Sequence, residues 1–314
     1  MTRHSRLLGA ALALGAIAAM TAPSAATAGQ DAPTPTITAS GGPVALIDTG
    51  ETSSPAFPGT APDPAAAERS VIGHDGRAQV ADTTAYPARA IGQLEIGQNG
   101  QDYICTGWLI DLNTILTSGH CAYTPSPTGD DVIEYATFAP GRNGATDAYG
   151  TCPVYQVYSP LGWRQDGLAK NDWAAMQLGT DDGTTVTTCD IGATVGWFGI
   201  TWKSGKSALT GANATIQGYP SDKNFGTQWT MSGTIFKSTS TMVYYPMDSY
   251  GGQSGSPVFK PAATACGGGP CGLAVHSYGA GGSGASANNN SGPRITEARY
   301  TTMQSYAAEN NPAP

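Results

Sequence analysis

Short runs of β-branched and aromatic residues, separated by Gly, Pro, Asn or Asp, recur along the chain from residue 89 onward. Runs of this length, with turn-forming residues between them, are typical of β-strands. The runs are RAIGQLEI, DYICTGWLI, NTILTSG, EYATFAP, YQVYS, DWAAMQL, TVGWFGITW, NATIQGYP, QWTMSGTIF, MVYYPM, SPVF and CGLAVHSYG. About a dozen strands of this kind predict an all-β protein built from sandwiches or barrels.

Two further segments refine this prediction. Near the C-terminus, in ITEARYTTMQSYAAEN, residues Ile295, Tyr300, Met303 and Ala307 recur at near-helical spacing, which predicts a C-terminal α-helix. The region 180–196 is polar and rich in turn residues, so we expect a boundary between two β subdomains there.

The N-terminal region differs in composition from the rest of the chain. Residues 1–28 contain basic residues, the apolar run LLGAALALGAIAAM and a small-residue cleavage site, ATA, which together predict a secretory signal peptide. Residues 29–69 are rich in Pro, Ala, Thr and Gly, so we expect a pro-segment that is disordered or removed, with a disordered linker as the alternative. The folded domain is expected to cover residues 70–314.

Charge and cysteine content narrow the class of protein. The net charge is −8 and no basic cluster is visible, which argues against nucleic acid and anionic membranes as partners. We expect a secreted, extracellular monomer. Six cysteines in an exported chain predict three disulfides. The sequence does not fix the connectivity, although local spacing suggests one of the pairs, and we expect Cys105–Cys121, Cys152–Cys189 and Cys266–Cys271. No metal-binding pattern and no cofactor motif is visible, and calcium binding cannot be read from the sequence.

The stretch MDSYGGQSGSPVF contains the candidate nucleophile, Ser254. Small residues on both sides let a substrate carbonyl approach the backbone closely. They also leave the N–H groups of Gly252 and Ser254 able to point at a developing oxyanion. A match to GxSG alone occurs by chance in many Gly-rich loops, so this serine needs catalytic partners.

The chain offers a histidine and an aspartate for that purpose. A serine hydroxyl needs an imidazole to take its proton and a carboxylate to orient the imidazole. His120 follows a predicted strand and precedes Cys121, although a histidine placed there only for packing is the alternative. Asp172 borders a mostly apolar strand, where an unpaired carboxylate would be costly to bury. The order His120, Asp172, Ser254 differs from that of the α/β-hydrolases.

These motifs resemble those of chymotrypsin-like serine proteases, and in particular the bacterial glutamyl endopeptidases. The resemblance covers nearly all of the expected folded domain and includes SVIG, TSGHC, GYPSDK, DSYGGQSGSPVF and LAVHS. It implies a pair of six-stranded antiparallel β-barrels, with the triad in the cleft between them and the C-terminal helix packed on the second. It also implies a secreted, pro-segment-activated endopeptidase that acts on protein or peptide substrates with Glu at the cleaved position.

The resemblance also indicates which residues bind the substrate. In glutamyl endopeptidases a histidine matching His276 faces the substrate carboxylate, and a hydroxyl residue matching Ser249 shares the contact. Two positions depart from the wider trypsin pattern. Gln253 replaces the Asp that anchors a new N-terminal amine in animal zymogens. Asp248 occupies the position that would suggest a pocket for Lys or Arg, and the match to the glutamyl branch argues against that use.

Two alternatives to a Glu-specific protease remain open from the sequence. One is a chymotrypsin-like protease of other specificity. The other is a secreted β protein without catalytic activity that binds peptides or a cell-surface partner.

Overall fold

The computed structural model describes residues 45–48, 70–125 and 132–309, with only the backbone for 45–48. The predicted signal peptide (1–28) lies outside the described residues, and so does the predicted pro-segment (29–69) apart from 45–48. The limits of these segments therefore remain predictions. In the described part of the chain, every helix is too short or too polar to cross a membrane.

Strands make up most of the regular structure. They are β1 (Ala45–Asp48), β2 (Ala78–Gln79), β3 (Ile91–Gln98), β4 (Gln101–Leu109), β5 (Thr114–Thr117), β6 (Tyr135–Pro140), β7 (Cys152–Ser159), β8 (Ala174–Asp181), β9 (Val186–Thr188), β10 (Gly199–Ile200), β11 (Asn213–Gly218), β12 (Trp229–Thr234), β13 (Lys237–Ser238), β14 (Met242–Tyr245), β15 (Pro257–Lys260), β16 (Cys271–Val275) and β17 (Asn290–Pro293). The α-helices are α1 (Leu161–Arg164), α2 (Gly192–Val195) and α3 (Glu297–Glu309). Short 3-10 helices cover Ala88–Ala90, Gly119–Cys121, Ala169–Asn171 and Thr264–Cys266. The predicted mostly-β class and C-terminal helix are confirmed.

The first half of the described chain forms a closed barrel. Its six strands follow the order β7-β6-β3-β4-β5-β8, and β8 pairs back onto β7. All of these neighbouring pairs are antiparallel. Strand β1 lies parallel to β7 on the outside, and β9 extends the sheet beyond β8. The first predicted six-stranded barrel is therefore confirmed.

The second half forms two open sheets, and the predicted second six-stranded barrel is not confirmed. One sheet has the order β10-β16-β15-β11-β12-β2, and the other has the order β13-β14-β17. An isolated bridge between Ala274 and Arg294 connects β16 to the end of the three-stranded sheet. The backbone at Gly292 passes so close to Val275 that a Cβ would lie 1.8 Å from its carbonyl oxygen. Glycine at 292 thus allows β17 to pass close to the end of β16, and isolated antiparallel bridges join the two segments in place of a continuous ladder.

The buried guanidinium of Arg294 provides hydrogen bonds close to this bridge. It donates to the carbonyl oxygens of Gly205 at 3.0 Å and Thr239 at 2.8 Å. Within the described residues, these main-chain carbonyls accept no hydrogen bond from a neighbouring strand. The Arg294 side chain supplies their donor, as buried backbone acceptors require.

Three clusters of buried apolar residues form the core. One fills the closed barrel and includes Leu94 and Phe138. A second lies where the barrel meets the second half, and the helix α3 contributes Met303 to it. The third lies within the second half and includes Ile216. The active-site segments described below lie on the loops that leave these packed strands.

The prediction of a strand for TVGWFGITW, residues 194–202, is mostly wrong. The first two residues of this segment are the last two residues of the short helix α2. Within the segment, only Gly199–Ile200 form a strand. The cause is close packing at Gly192, where a Cβ would lie 2.4 Å from the carbonyl oxygen of Asp111. The turn then ends at Gly196, whose φ of +75° favours glycine.

Three disulfides link the described cysteines. They join Cys105 to Cys121, Cys152 to Cys189 and Cys266 to Cys271, which are the predicted pairs. The first ties strand β4 to the 3-10 turn that contains His120. The backbone beside the candidate base is therefore covalently attached to the barrel.

Candidate active site

The loop that contains Ser254 is fixed by backbone hydrogen bonds on both sides. The carbonyl of Ser254 accepts from the N–H of Thr106 in β4 at 2.8 Å. The N–H of Gly255 donates to the carbonyl of His276 at 2.7 Å. Gly255 has φ +89°, and a Cβ there would lie 2.0 Å from the carbonyl oxygen of Thr106. Only glycine fits after the nucleophile, and the loop is held against both halves of the fold.

Two N–H groups of this loop are available for a ligand. The N–H groups of Gln253, Gly255 and Ser256 all donate to carbonyl oxygens, whereas within the described residues those of Gly252 and Ser254 donate to none. Gly252 has φ +92°, and a Cβ there would lie 2.5 Å from the carbonyl oxygen of Tyr219. Two free donors on alternate residues, one at a residue that must be glycine, form the arrangement that can stabilise an oxyanion.

His120 and Asp172 lie within hydrogen-bond distance. His120 Nδ1 lies 2.9 Å from Asp172 Oδ2, and the His120 backbone N–H donates to Asp172 Oδ1 at 2.8 Å. The Asp172 side chain is fully buried, while that of His120 keeps 20% of its surface exposed. Because a carboxylate only accepts, the Nδ1 atom carries the imidazole proton and leaves Nε2 unprotonated. This is the tautomer that a general base requires.

His120 and Ser254 line the same cavity, whose volume is about 300 Å³. The Cys105–Cys121 disulfide also lines it. The structure therefore brings together the three residues that the sequence proposed as a triad, with the histidine between the buried carboxylate and the serine's cavity.

Two further residues contact Asp172, and the sequence assigned a role to neither. The Ser277 hydroxyl donates to the main-chain carbonyl of Asp172 at 2.9 Å. Burial, the charge of Asp172 and a hydrogen bond to it raise the pKa of Tyr278, so the Tyr278 hydroxyl stays protonated. The segment that follows β16 thus holds the aspartate in place. Ser277 directly follows the motif residue His276, and this adjacency was the one sequence feature that could have identified Ser277 as part of the site.

His276 is buried at the end of β16 and bonds to a buried tyrosine. Its Nδ1 atom lies 2.7 Å from the Tyr245 hydroxyl. Burial raises the pKa of Tyr245, so this hydroxyl keeps its proton and can donate it to Nδ1. The imidazole proton then resides on Nε2. Burial, with a smaller effect from His120, lowers the pKa of His276 to about 3, so the ring is neutral near pH 7.

Ser249 is fully buried and held by Asn290, which the sequence reasoning missed. The Asn290 Nδ2 atom lies 3.1 Å from the Ser249 hydroxyl and donates to the carbonyls of Met247 at 2.7 Å and Ser70 at 2.9 Å. An amide nitrogen donates and cannot accept. The Ser249 hydroxyl therefore accepts in this contact, and its own proton remains available for a ligand.

Asp248 is buried and bound by backbone N–H groups. Its two carboxylate oxygens accept from the N–H of Ile72 at 2.7 Å and of Gly76 at 2.8 Å. The Ser249 N–H donates to the carbonyl of Ser70 at 3.1 Å. The segment 70–76 therefore packs directly behind the pocket residues, and the Asp248 carboxylate is occupied in holding it there.

The residue before the nucleophile contacts a buried cation. Gln253 Oε1 accepts from the Tyr250 N–H at 3.2 Å and lies 3.4 Å from Arg77 Nη1. Burial acts to lower the pKa of Arg77, but the hydrogen bonds that its guanidinium donates to Asp75 and Asp222 outweigh burial and raise this pKa. Gln253 thus contributes a neutral acceptor at a position where an Asp would bind a cation directly.

One group of potential metal ligands occurs among the described residues: Cys105, His120 and Cys121. The two cysteine sulfurs are joined in a disulfide, so neither is a thiolate. Because thiolates are the form that binds metal ions, His120 alone would remain as a ligand. These residues do not fit a metal site.

Comparisons with known proteins agree with this geometry. A family model described as Trypsin matches residues 79–296. Glutamyl endopeptidase from Bacillus licheniformis is 42% identical over 241 residues, which cover 76% of this chain and 69% of that relative. A Bacillus subtilis protein named extracellular metalloprotease is 33% identical over 240 residues, which cover 76% of this chain and 70% of that relative.

A solved structure titled as Glu endopeptidase in complex with MPD matches with a TM-score of 0.62 and 31% identity. The match covers 76% of this chain and 100% of that one. Both halves of the described fold thus have a counterpart in a solved structure.

Proposed function

Because the chain belongs to the trypsin family of serine proteases, we propose that it is a secreted endopeptidase that cleaves on the carboxyl side of Glu. One observation carries the proposal. It is the contact of 2.9 Å between His120 Nδ1 and the buried Asp172 carboxylate, beside the cavity that Ser254 lines. Relatives named glutamyl endopeptidase support the Glu preference, and a relative named as extracellular supports secretion.

In the proposed reaction, Ser254 Oγ attacks the carbonyl carbon of the scissile bond while His120 Nε2 accepts the serine proton. The N–H groups of Gly252 and Ser254 stabilise the oxyanion. The C–N bond then breaks, and His120 returns the proton to the leaving amine. Water, activated by the same imidazole, attacks the acyl-enzyme and releases the product acid. No cofactor is part of this reaction, and none follows from the name of the Bacillus subtilis relative.

The Glu side chain is proposed to bind His276 and Ser249. The Nε2 proton of His276 and the free proton of Ser249 are two donors that suit a carboxylate. A neutral pocket without a buried cation avoids the cost of an unpaired charge when it is empty. Asp should be cleaved more weakly than Glu, by about 1–3 kcal/mol, since it is one methylene shorter.

Variants of the triad test the catalytic part of the proposal. Ser254→Ala and His120→Ala should each lower kcat by about 10⁶-fold, and the double variant should lose no more than either alone, because the residues act as a unit. Ser256→Ala is a matched control in the same loop. The Ser256 hydroxyl is buried without a hydrogen-bond partner among the described residues, so its removal should leave activity near the wild-type value.

Labelling by a serine-directed phosphonate gives an independent readout. Wild-type protein and the Ser256→Ala control should be labelled, whereas Ser254→Ala should not. Full peptidase activity in Ser254→Ala would overturn the proposal. Unlabelled, inactive wild-type protein with an intact fold would favour the non-catalytic alternative.

A further inference from the structure

A groove with a volume of about 630 Å³ lies beside the nucleophile loop. One wall is formed by strands β3 and β4 of the closed barrel, with Glu95, Asp102 and Tyr103. The other wall includes Phe225 and reaches Gly252, whose N–H is one of the two free donors of the candidate oxyanion hole. The groove is therefore continuous with the reaction centre.

Strand register explains why Glu95, Asp102 and Tyr135 meet, whereas Tyr103 pairs with Ile96 and belongs to the alternate set of residues. Glu95 pairs with Ile104, and Gly97 pairs with both Asp102 and Tyr135. Alternate residues of a strand share a face, so Glu95, Asp102 and Tyr135 lie on one barrel surface. A Cβ at Gly97 would lie 2.0 Å from the Tyr135 ring. The absence of a side chain at Gly97 thus allows the ring to lie across the strand, where its hydroxyl donates to Asp102.

The groove carries uncompensated negative charge. Glu95 pairs with Arg142, but Arg142 also pairs with Asp147, so one cation serves two carboxylates. Asp102 has no cationic partner among the residues that the structure describes. Within the described part of the chain, its carboxylate accepts a side-chain hydrogen bond from the Tyr135 hydroxyl, and this hydrogen bond and the charge of Asp102 raise the pKa of Tyr135.

Exposed aromatic rings accompany this charge. Tyr103, Tyr135 and Phe225 are 48%, 44% and 58% exposed, unusually high for large aromatic side chains. Arg142 already lies over one face of Phe225, with 5.4 Å between the guanidinium carbon and the ring centroid. A ring of the groove, that of Phe225, thus already makes a cation–π contact with a guanidinium in this chain.

The position of the groove indicates which part of a substrate would enter it. The cavity of His120 and Ser254 shares Tyr103 with the groove, and neither His276 nor Ser249 lines either cavity. His120 protonates the leaving amine, so the chain beyond the cleaved bond lies on this side. The residue before that bond is the Glu whose side chain the proposed function assigns to His276, outside this groove.

We propose that this groove binds the first residues after the cleaved bond and favours Lys or Arg among them. The inference rests on the proposed function, because it takes the substrate to be a polypeptide cleaved at Ser254. A cationic side chain would lie near Asp102, with its stem on the exposed rings, as charge complementarity and cation–π contact predict.

Peptides with Glu before the cleaved bond, and Arg, Met or Glu at each of the next three positions, test this inference. At one position or more, kcat/KM should be about tenfold higher with Arg than with Met, and lower still with Glu. The preference should weaken in high salt, since the groove is open to solvent. Asp102→Asn should reduce the Arg-to-Met ratio to about threefold or less.

Glu134→Gln is the matched control. Glu134 is an exposed carboxylate next to Tyr135 that bonds to the Gly100 N–H and does not line the groove, so its removal should leave the Arg-to-Met ratio unchanged. Equal rates for Arg, Met and Glu at all three positions would overturn this inference and leave the proposed function intact. So would a preference that Asp102→Asn does not change. Absence of cleavage after Glu in every peptide would overturn both.

Discussion

Asp248 offers a sharp test, because a carboxylate at this position could either bind substrate or hold the protein together. The structure assigns it the second role, since both oxygens accept from backbone N–H groups of the segment 70–76 and the side chain is buried. Hydrogen bonds to a charged acceptor contribute about 1.5–3 kcal/mol each. Asp248→Ala should therefore lower the free energy of unfolding by about 3–6 kcal/mol, a large part of the stability of a typical domain.

Urea unfolding followed by tryptophan fluorescence measures this loss. A Ser254→Ala background prevents self-digestion during the measurement. Asp248→Asn keeps one acceptor oxygen and should show an intermediate loss. Asp82→Asn is the control: Asp82 also accepts a backbone N–H, from Thr84 at 2.9 Å, but it is exposed, so the loss should be much smaller.

The rates of cleavage after Arg and after Glu, measured in protein that retains Ser254, complete the test. Wild-type protein should cleave poorly after Arg, and Asp248→Asn should not change the ratio of Arg to Glu cleavage, because the carboxylate does not face the substrate. Unchanged stability in Asp248→Ala would refute the structural role. Efficient cleavage after Arg that disappears in Asp248→Asn would refute it as well and would favour a trypsin-like pocket.

Three further predictions concern residues around the site. Asn290→Leu should lower kcat/KM for Glu peptides about 10–100-fold while phosphonate labelling of Ser254 persists, because Ser249 loses its positioning partner; labelling and peptide kinetics measured side by side check this. Ser277→Ala should lower kcat about tenfold with little change in KM, since it loosens Asp172 and leaves the pocket intact; an unchanged kcat would contradict it. The pKa of His276 is lowered to about 3 in the folded protein, so the unfolded chain alone binds a proton between about pH 6.5 and 3, and stability should fall as pH falls through that window. Urea unfolding at several pH values should show a shallower decline in His276→Gln.

Local motifs carried much of what the sequence could predict. Ser254 and His120 stand in short segments whose neighbours are small or disulfide-bonded, and the structure brings His120 to Asp172 across 52 residues. The short runs of β-branched and aromatic residues likewise identified most strands. Residues such as Asn290 could not be recognised in this way, because its partner Ser70 lies 220 residues away and nothing near Asn290 indicates that contact.

The same limit applies to the second half of the fold. Runs of β-branched and aromatic residues predict strands, but they do not indicate whether the last strand pairs with the first. In the second half, the close approach at Gly292 and the hydrogen bonds of the buried Arg294 join segments that are distant in the sequence, so no local pattern indicates them. Asp248 is a further example, since its position suggests a substrate pocket and only its contact with Ile72 and Gly76 reveals a structural role.

The ratio of kcat/KM for matched Glu and Gln peptides, in wild type and in His276→Ala, tests the central claim most directly. Gln has the same length as Glu but lacks the charge, and a charge-assisted hydrogen bond contributes about 1.5–3 kcal/mol. The ratio should be at least about tenfold in wild type and should fall toward unity in the variant. A ratio near unity in wild type, or one that His276→Ala leaves unchanged, would contradict Glu recognition by this pocket.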